Sequence, residues 1–274
     1  MTRLEGAHAL VTGGSSGIGL ATAAELARRG ARLTLWARGE DQLAAAATSL
    51  RDNGVEVIPD SVDVADAQAV RAAYTRAVAR LGEVDILVAS AGQTHPGHFL
   101  EIPDEVFRRM IEVDYFGTLY AVRAVAPSMV ARRTGSIVGI SSGAGLVGVF
   151  GYTAYGAAKF AVRGLFEALR DELTPYAVHV ACVYPPDVDT PMFEQENRIK
   201  PAETAAIAGT VRPLPPQEVA RAIVRSIDRG TFAVYPGAAM GALGRFGSLA
   251  APLLRRVVDA RVRTVRRAAP TAAD

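Results

Sequence analysis

Between residues 8 and 235, short apolar blocks alternate with longer amphipathic stretches. The blocks are 8–12 (His-Ala-Leu-Val-Thr), 32–37 (Arg-Leu-Thr-Leu-Trp-Ala), 55–59, 84–89, a run through Ile137, Val138 and Ile140, 178–184, and 232–235. They are too short for helices and almost continuously apolar, as strands covered on both faces are. In the stretches between them, apolar residues recur at helical spacing. This predicts helices over about 17–29, 41–51, 66–81, 115–132, 154–175 and 217–229. Strand and helix in alternation build βαβ units, so the class is α/β. Residues 93–104 read as a loop.

Two stretches depart from the alternation. Residues 186–216 are poorly periodic and punctuated by Pro186, Pro191, Pro201, Pro213, Pro215 and Pro216. They begin where a strand ends, so they are expected to form a loop or lid over a site. The tail, 237–274, carries Phe246, Leu249, Leu253, Leu254, Val257, Val258, Val262 and Val265 at helical spacing, with Arg245, Arg255, Arg256, Arg261, Arg263, Arg266 and Arg267 between them. A basic amphipathic helix suits an anionic membrane surface, and equally a seat on the core or on a second subunit. The pattern does not choose among these, and residues 268–274 are expected to fray. The organisation expected is one domain over 1–236 followed by this tail.

Composition narrows the class. The chain has 274 residues, half of them hydrophobic, which suits one large α/β domain. The formal net charge is +2, and no basic run precedes the tail, so a nucleic-acid partner is not expected. Cys182 is the single cysteine, which leaves no disulfide framework and no cysteine-based metal site. His95 and His98 lack a third ligand, so no metal is expected. No apolar run is long enough to span a bilayer, and a cytoplasmic protein, in contact with a membrane only at its surface, is expected.

The chemistry concentrates at strand ends. Gly13-Gly14-Ser15-Ser16-Gly17-Ile18-Gly19 joins the first strand to the first helix. Glycines let the backbone approach a pyrophosphate, and a helix N-terminus favours its charge. At the end of the second strand stands Arg38, with no acidic residue before Glu40. A guanidinium there suits a 2′-phosphate, which points to NADP(H) rather than NAD. Ala91 and Gly92 leave room for a cofactor lying across the strand ends. After the fifth strand comes Ser142, and Tyr155 and Lys159 follow at i and i+4 on one helix face. A phenol beside an ammonium ionises more easily, which suits proton exchange.

These residues, in this order, resemble the short-chain dehydrogenase/reductase family. The carriers are Thr12-Gly13-x-x-x-Gly17-x-Gly19, Asp63, Ala89-Ser90-Ala91-Gly92, Ser142 and Tyr155-Gly-Ala-Ala-Lys159, and the match spans roughly residues 4–236. The resemblance implies a doubly wound, mostly parallel Rossmann sheet with helices on both faces. It implies reduction of a ketone by NADPH, with Tyr155 as general acid, Lys159 lowering its pKa and binding the nicotinamide ribose, and Ser142 holding the carbonyl oxygen. It assigns Gly13, Ser15, Ser16, Gly17, Ile18 and Gly19 to the pyrophosphate, Asp63 and Val64 to the adenine, and Ala91, Gly92, Pro185, Val188 and Thr190 to the rest of the cofactor, Thr190 to the carboxamide. Pairing of the helices at 115–132 and 154–175 into a homodimer or homotetramer is also implied.

Three positions depart from the family pattern. Ala89-Ser90 replaces the usual Asn-Asn. Asp114 stands where the family places an Asn beside the lysine, which adds charge near Lys159. Pro185-Pro186 replaces Pro-Gly. The stretch Tyr184-Pro185-Pro186-Asp187-x-Asp189-Thr190-Pro191, with Phe193, Glu196-Asn197 and Lys200-Pro201-x-Glu203-Thr204, resembles the branch of the family that reduces long-chain 3-keto sphingoid bases at membranes. The resemblance leaves room for another ketone or alcohol substrate of steroid, sugar or 3-oxoacyl type, and for an NADP(H)-binding protein without catalysis.

Overall fold

The structure, a computed structural model, describes residues 2–208 and 212–268. The apolar blocks form β1 (His8–Thr12), β2 (Arg32–Ala37), β3 (Val57–Ser61), β4 (Ile86–Ala89), β5 (Ser136–Ile140), β6 (His179–Val183) and β7 (Ala233–Val234). The helices are α1 (Gly17–Arg28), α2 (Glu40–Arg51), α3 (Ala67–Leu81), α4 (Asp104–Met110), α5 (Gly117–Arg132), α6 (Thr153–Leu173), α7 (Pro191–Ile199), α8 (Ala202–Ala208), α9 (Pro216–Arg229) and α10 (Ala238–Ala268). All seven strands pair parallel in the order β3-β2-β1-β4-β5-β6-β7.

Successive strand residues point to opposite faces. Ala9, Val11, Leu33, Leu35 and Ile86 pack on one face with Leu26 of α1, Leu43 of α2 and Ile223 of α9. Leu10, Trp36, Leu87, Ile137 and Cys182 pack on the other with Val70 of α3, Val122 of α5 and Phe166 of α6. With both faces covered, each strand needs apolar residues at every position, hence the unbroken blocks. A fully buried side chain of this size contributes about 1.5–3 kcal/mol. Cys182 is one of these packing residues, and burial pushes its thiol up to about 12. The chain runs from β1 outward to β2 and β3, then returns to β4 on the other side of β1. That reversal opens a crevice at the C-terminal ends of β1 and β4, where open α/β sheets bind ligands.

Several expectations shift. β3 lies at Val57–Ser61 rather than 55–59. Its Pro59, which has no N–H to give, is tolerated because β3 is an edge strand. β4 and β7 are shorter than expected, and α6 ends at Leu173, followed by a 3₁₀ turn over Thr174–Tyr176. The helix expected from Tyr115 starts at Asp104, with Asp104 and Glu105 in its first turn, where negative charge suits the helix dipole. It passes through a π-helical segment, Ile111–Phe116, before α5. The extra residue in that wide turn breaks the 3.6-residue period, which hides the helix from the sequence pattern. The poorly periodic stretch holds two short helices. Thr190 caps α7 by accepting from the Phe193 N–H at 3.2 Å, and Pro191 occupies the first turn. The tail is helical from Ala238 to Ala268, and residues 269–274, expected to fray, lie outside the described residues.

Candidate active site

The glycine turn between β1 and α1 is tightly seated. Gly13 has φ +66°, and a Cβ on it would come within 3.0 Å of the Ala91 backbone, while one on Gly19 would run into the Gly13 carbonyl. Only glycine keeps this turn against the end of β4. The Thr12 hydroxyl ties the two strands by accepting from the Ser90 and Ala91 N–H groups at 3.1 and 3.0 Å. Gly17 opens α1, and Ser16 stands at its N-cap without capping it, so no side chain claims the first-turn N–H groups. Ser15 is half-buried, and Ile18 packs on the core and offers its backbone. Val64 is buried and likewise offers backbone.

Arg38 is exposed at the end of β2, with no ion-pair partner among the described residues. Its charge reaches Asp63. Burial works to raise the Asp63 carboxyl, but the Ala65 N–H and the Arg109 guanidinium at 3.3 Å outweigh it and hold the group low, with a smaller pull from Arg38. A backbone cradle that side chains would fill, an uncapped helix N-terminus and a free guanidinium fit a phosphate-bearing nucleotide cofactor.

Across the crevice, β5 delivers Ser142 and α6 delivers Tyr155 and Lys159. Ser141 N–H bonds to Val183 O at 2.8 Å, and the Ser141 hydroxyl donates to Lys159 O at 2.9 Å, which fastens α6 to the strand ends. Ser142 caps a 3₁₀ turn, accepting from the Ala144 N–H at 3.1 Å. Lys159 is buried. Its Nζ lies 3.0 Å from Asp114 Oδ1, donates to Ile140 O at 3.2 Å, and stands 5.5 Å from the Tyr155 ring centre. Asp114 has no exposed surface. Its Oδ1 also accepts from the Gln93 N–H at 3.2 Å, whereas Oδ2 has no partner. A Cβ on Gly92 would stand 2.5 Å from that Oδ1, so Gly92 is what admits the carboxylate.

Opposing pulls act on the Tyr155 phenol. Lys159 does favour the Tyr155 phenolate, and so does the Ser142 hydroxyl, but burial acts the other way and is larger, and Asp114 and Glu196 add to it. The phenol sits above its ordinary value. Burial raises the Asp114 carboxyl against the pull of Lys159. Burial also opposes the Lys159 charge, yet Asp114 keeps the ammonium protonated above the ordinary lysine range. The proton stays on Lys159, because Gln93 donates to the carboxylate and Ile140 accepts from the ammonium.

Pro185, Val188 and Thr190 sit where the lid leaves β6. Pro185 O accepts from the Gly143 N–H at 2.9 Å, beside Ser142. Val188 is buried and bridges to Leu214, and the Thr190 methyl lies against Gly17. The segment that leaves β6 therefore touches both the glycine turn and the loop that carries Ser142.

A second polar group lies on the lid side of Tyr155. The Tyr152 hydroxyl donates to Glu196 Oε1, and Lys200 Nζ lies 2.6 Å from the same oxygen and 4.8 Å from the Phe193 ring centre. The rings of Tyr152 and Tyr155 stand 5.7 Å apart. Burial and Glu196 push the Tyr152 phenol up. Burial also raises Asp187, with Lys200 opposing and Glu196 adding. The sequence reading left Tyr152, Glu196 and Lys200 out of the site. Their signals were spacing: Tyr152 lies three residues before Tyr155, and Glu196 and Lys200 are four apart. His98 is engaged by Glu101 at 3.2 Å and Glu203 at 3.3 Å.

Comparison with known proteins agrees with this geometry. A family model described as short chain dehydrogenase matches residues 7–200. The chain is 45% identical over 235 residues to a 3-dehydrosphinganine reductase of Danio rerio, covering 84% of this chain and 71% of that one. It is 44% identical over 234 residues to a 3-ketodihydrosphingosine reductase of Bos taurus, covering 84% and 70%. Among solved structures, a short chain dehydrogenase/reductase from Burkholderia phymatum in complex with NAD superposes with TM-score 0.83 at 27% identity, covering 92% of this chain and 96% of that one. An alcohol dehydrogenase from Thermococcus sibiricus complexed with 5-hydroxy-NADP does so with TM-score 0.71 at 30% identity, covering 83% and 93%. With its glycine turn, its parallel sheet and its Ser142, Tyr155 and Lys159 set, the chain belongs to the short-chain dehydrogenase family.

Proposed function

We propose that this oxidoreductase reduces 3-ketodihydrosphingosine to dihydrosphingosine with NADPH, a step of sphingolipid synthesis. The observation that carries the reading is the 44–45% identity, over 84% of the chain, to relatives bearing that activity in their names. When bound, NADPH supplies the hydride to the ketone carbon. Tyr155 donates the proton to the carbonyl oxygen. Ser142 hydrogen-bonds that oxygen and stabilises its developing charge. Lys159 holds the nicotinamide ribose. Gly13, Ser15, Ser16, Gly17, Ile18 and Gly19 hold the pyrophosphate, and Arg38 takes the 2′-phosphate, which selects NADPH over NADH. Asp63 and Val64 border the adenine, and Ala91, Gly92, Pro185, Val188 and Thr190 complete the cofactor site.

The lid supports this substrate. On the lid side of Tyr155, Lys200 pairs with Glu196 at 2.6 Å, and Asp187 adds a second carboxyl that feels the charge of both. A 3-keto sphingoid base brings an amino group beside its ketone and so supplies the missing positive charge. The tail supports a membrane-borne substrate. No described helix is long and apolar enough to cross a membrane. α10 seats on α8 through Arg266, 3.1 Å from Glu203, and through Arg261, which donates to Ala206 O and Ile207 O. It still exposes Phe246, Leu249, Leu253 and Val257 in a row among arginines, a surface suited to anionic lipid. Phe116 and Phe160 are exposed on and beside the helices that the family pairs, and a homodimer or homotetramer would cover them.

The test is NADPH oxidation by the pure protein with 3-ketodihydrosphingosine in mixed micelles, with Tyr155→Phe as the blank. Turnover that disappears in the variant, and drops sharply with NADH, supports the reading. NADPH binding without turnover on this ketone refutes the substrate.

A further inference from the structure

Among the described residues Asp114 is the one charged group packed against Lys159, and its contact is direct: 3.0 Å, fully buried, with Gln93 N–H on the same oxygen and no partner on Oδ2. An ammonium with a carboxylate at this distance presents a dipole, not a net charge, to a third group. The phenol is that third group, with its ring centre 5.5 Å from the nitrogen.

We propose that Asp114 is a positioning residue that sets the proton window of Tyr155: by holding Lys159 in a buried ion pair it withholds the ammonium charge from the phenol, so Tyr155 keeps its proton, and its donor role, to higher pH than Lys159 alone would permit. The proposal rests on the reading of Tyr155 as the proton donor. In ketone reduction a hydride reaches the carbon and the phenol gives its proton to the oxygen, so the reactive form carries a protonated Tyr155 and rate falls as the phenol ionises. Alcohol oxidation runs the same proton backwards and needs the phenolate. One group therefore sets the alkaline limb of reduction and the acid limb of oxidation.

Tyr152, whose ring stands 5.7 Å from that of Tyr155, is a neighbouring phenol that burial and Glu196 push up. Ser142, from the end of β5, favours the Tyr155 phenolate, and Glu196, from α7, opposes it. Among the described residues the ammonium meets Asp114, the Ile140 carbonyl and the Tyr155 ring, and it also feels the un-ionised Cys182. Asp114 is thus the group whose removal as a charge, without removal of its shape, isolates the effect. Asp114→Asn retains an oxygen for Lys159 and Gln93.

Two measurements test this. The first is the pH profile of reduction and oxidation for wild type and Asp114→Asn. Both limbs are expected to move to lower pH together, by at least about one unit, the scale of a neighbouring charge. The second is a tyrosinate absorbance titration of the cofactor-free protein, with Tyr155→Phe and Asp114→Asn/Tyr155→Phe subtracted. It is expected to show one phenol ionising at lower pH in Asp114→Asn than in wild type. Unmoved limbs and an unmoved phenol in a folded Asp114→Asn, with Tyr155→Phe inactive, overturn the proposal and leave the donor assignment intact. Retained turnover in Tyr155→Phe overturns the donor assignment itself.

Discussion

Two buried lysine–carboxylate pairs flank Tyr155, and they are built differently. Lys159 and Asp114 come from α6 and the π-helical segment, elements fastened to the sheet, and neither reaches solvent appreciably. Lys200 and Glu196 are four residues apart at the end of α7, in the excursion between β6 and α9. The first pair joins two elements that the fold already holds. The second is local to the lid and meets the frame through one hydroxyl, that of Tyr152. On the proposed reading, groups that handle the proton stand on the frame and groups that face the variable part of a substrate stand on the excursion, where change costs the fold little.

The widest gap between the pairs is expected in stability. Asp114→Ala leaves Lys159 buried without its counter-charge and should cost about 3–5 kcal/mol, read as a lower urea midpoint at constant slope. Glu196→Ala should cost less, since Lys200 swings toward Asp187 or solvent. Equal losses would break the distinction between frame and lid. Arg38→Ala, a change on the frame, should raise the KM for NADPH by about 10–100-fold, the scale of a charge-assisted hydrogen bond, and leave the ketone KM alone. A smaller effect is expected on the lid: Glu196→Gln should raise the KM for the amino ketone several-fold, about 1 kcal/mol, and leave a long-chain ketone without the amino group unchanged. An equal rise for both ketones would remove the lid from substrate choice.

The smallest effect concerns the clamp between the loop at His98, α8 and α10. Hydrogen bonding to Glu203 raises the His98 pKa above its ordinary 6.5, although burial opposes. The stability contributed is full below that ordinary value and is lost as pH rises through the raised one. Burial works to raise Glu203, but hydrogen bonds from its own backbone, Arg266 and His98 outweigh it and hold the group below its ordinary 4.5. That contribution is present above 4.5 and is lost as pH falls through the depressed value. Protection of α10 from limited proteolysis should therefore be greatest between the two. His98→Ala should remove the alkaline decline, and a decline that persists would place the clamp elsewhere.

How much the sequence discloses follows the same division. The glycine turn, Tyr155 and Lys159 are legible because local spacing alone defines them: a turn of seven residues, a helix face at i and i+4. The parallel sheet is legible because burial on both faces forces unbroken apolar blocks. Tyr152 and Glu196 are 44 residues apart and meet only after the lid folds back, so neither stretch signals the contact. The direct pairing of Asp114 with Lys159 was anticipated as added charge, but not its outcome for Tyr155. That depends on burial and on distances between β5, α6 and the π-helical segment, which no spacing encodes.

The π-helical segment also sets the phase of the site. Gln93 holds both this segment and α4 before it, donating from its backbone to Asp114 Oδ1 and from its side chain to Arg109 O at 3.2 Å. Arg109 in turn holds Asp63. In an α-helix, residues five apart point about 140° away from each other. The wider turn brings Arg109 and Asp114 toward the same side. One added residue thus sets the contact to Asp63 and the contact to Lys159 together. In an alignment it would read as a single-residue gap of no chemical character. Closing that gap would turn the contact to Asp63 out of step with the contact to Lys159.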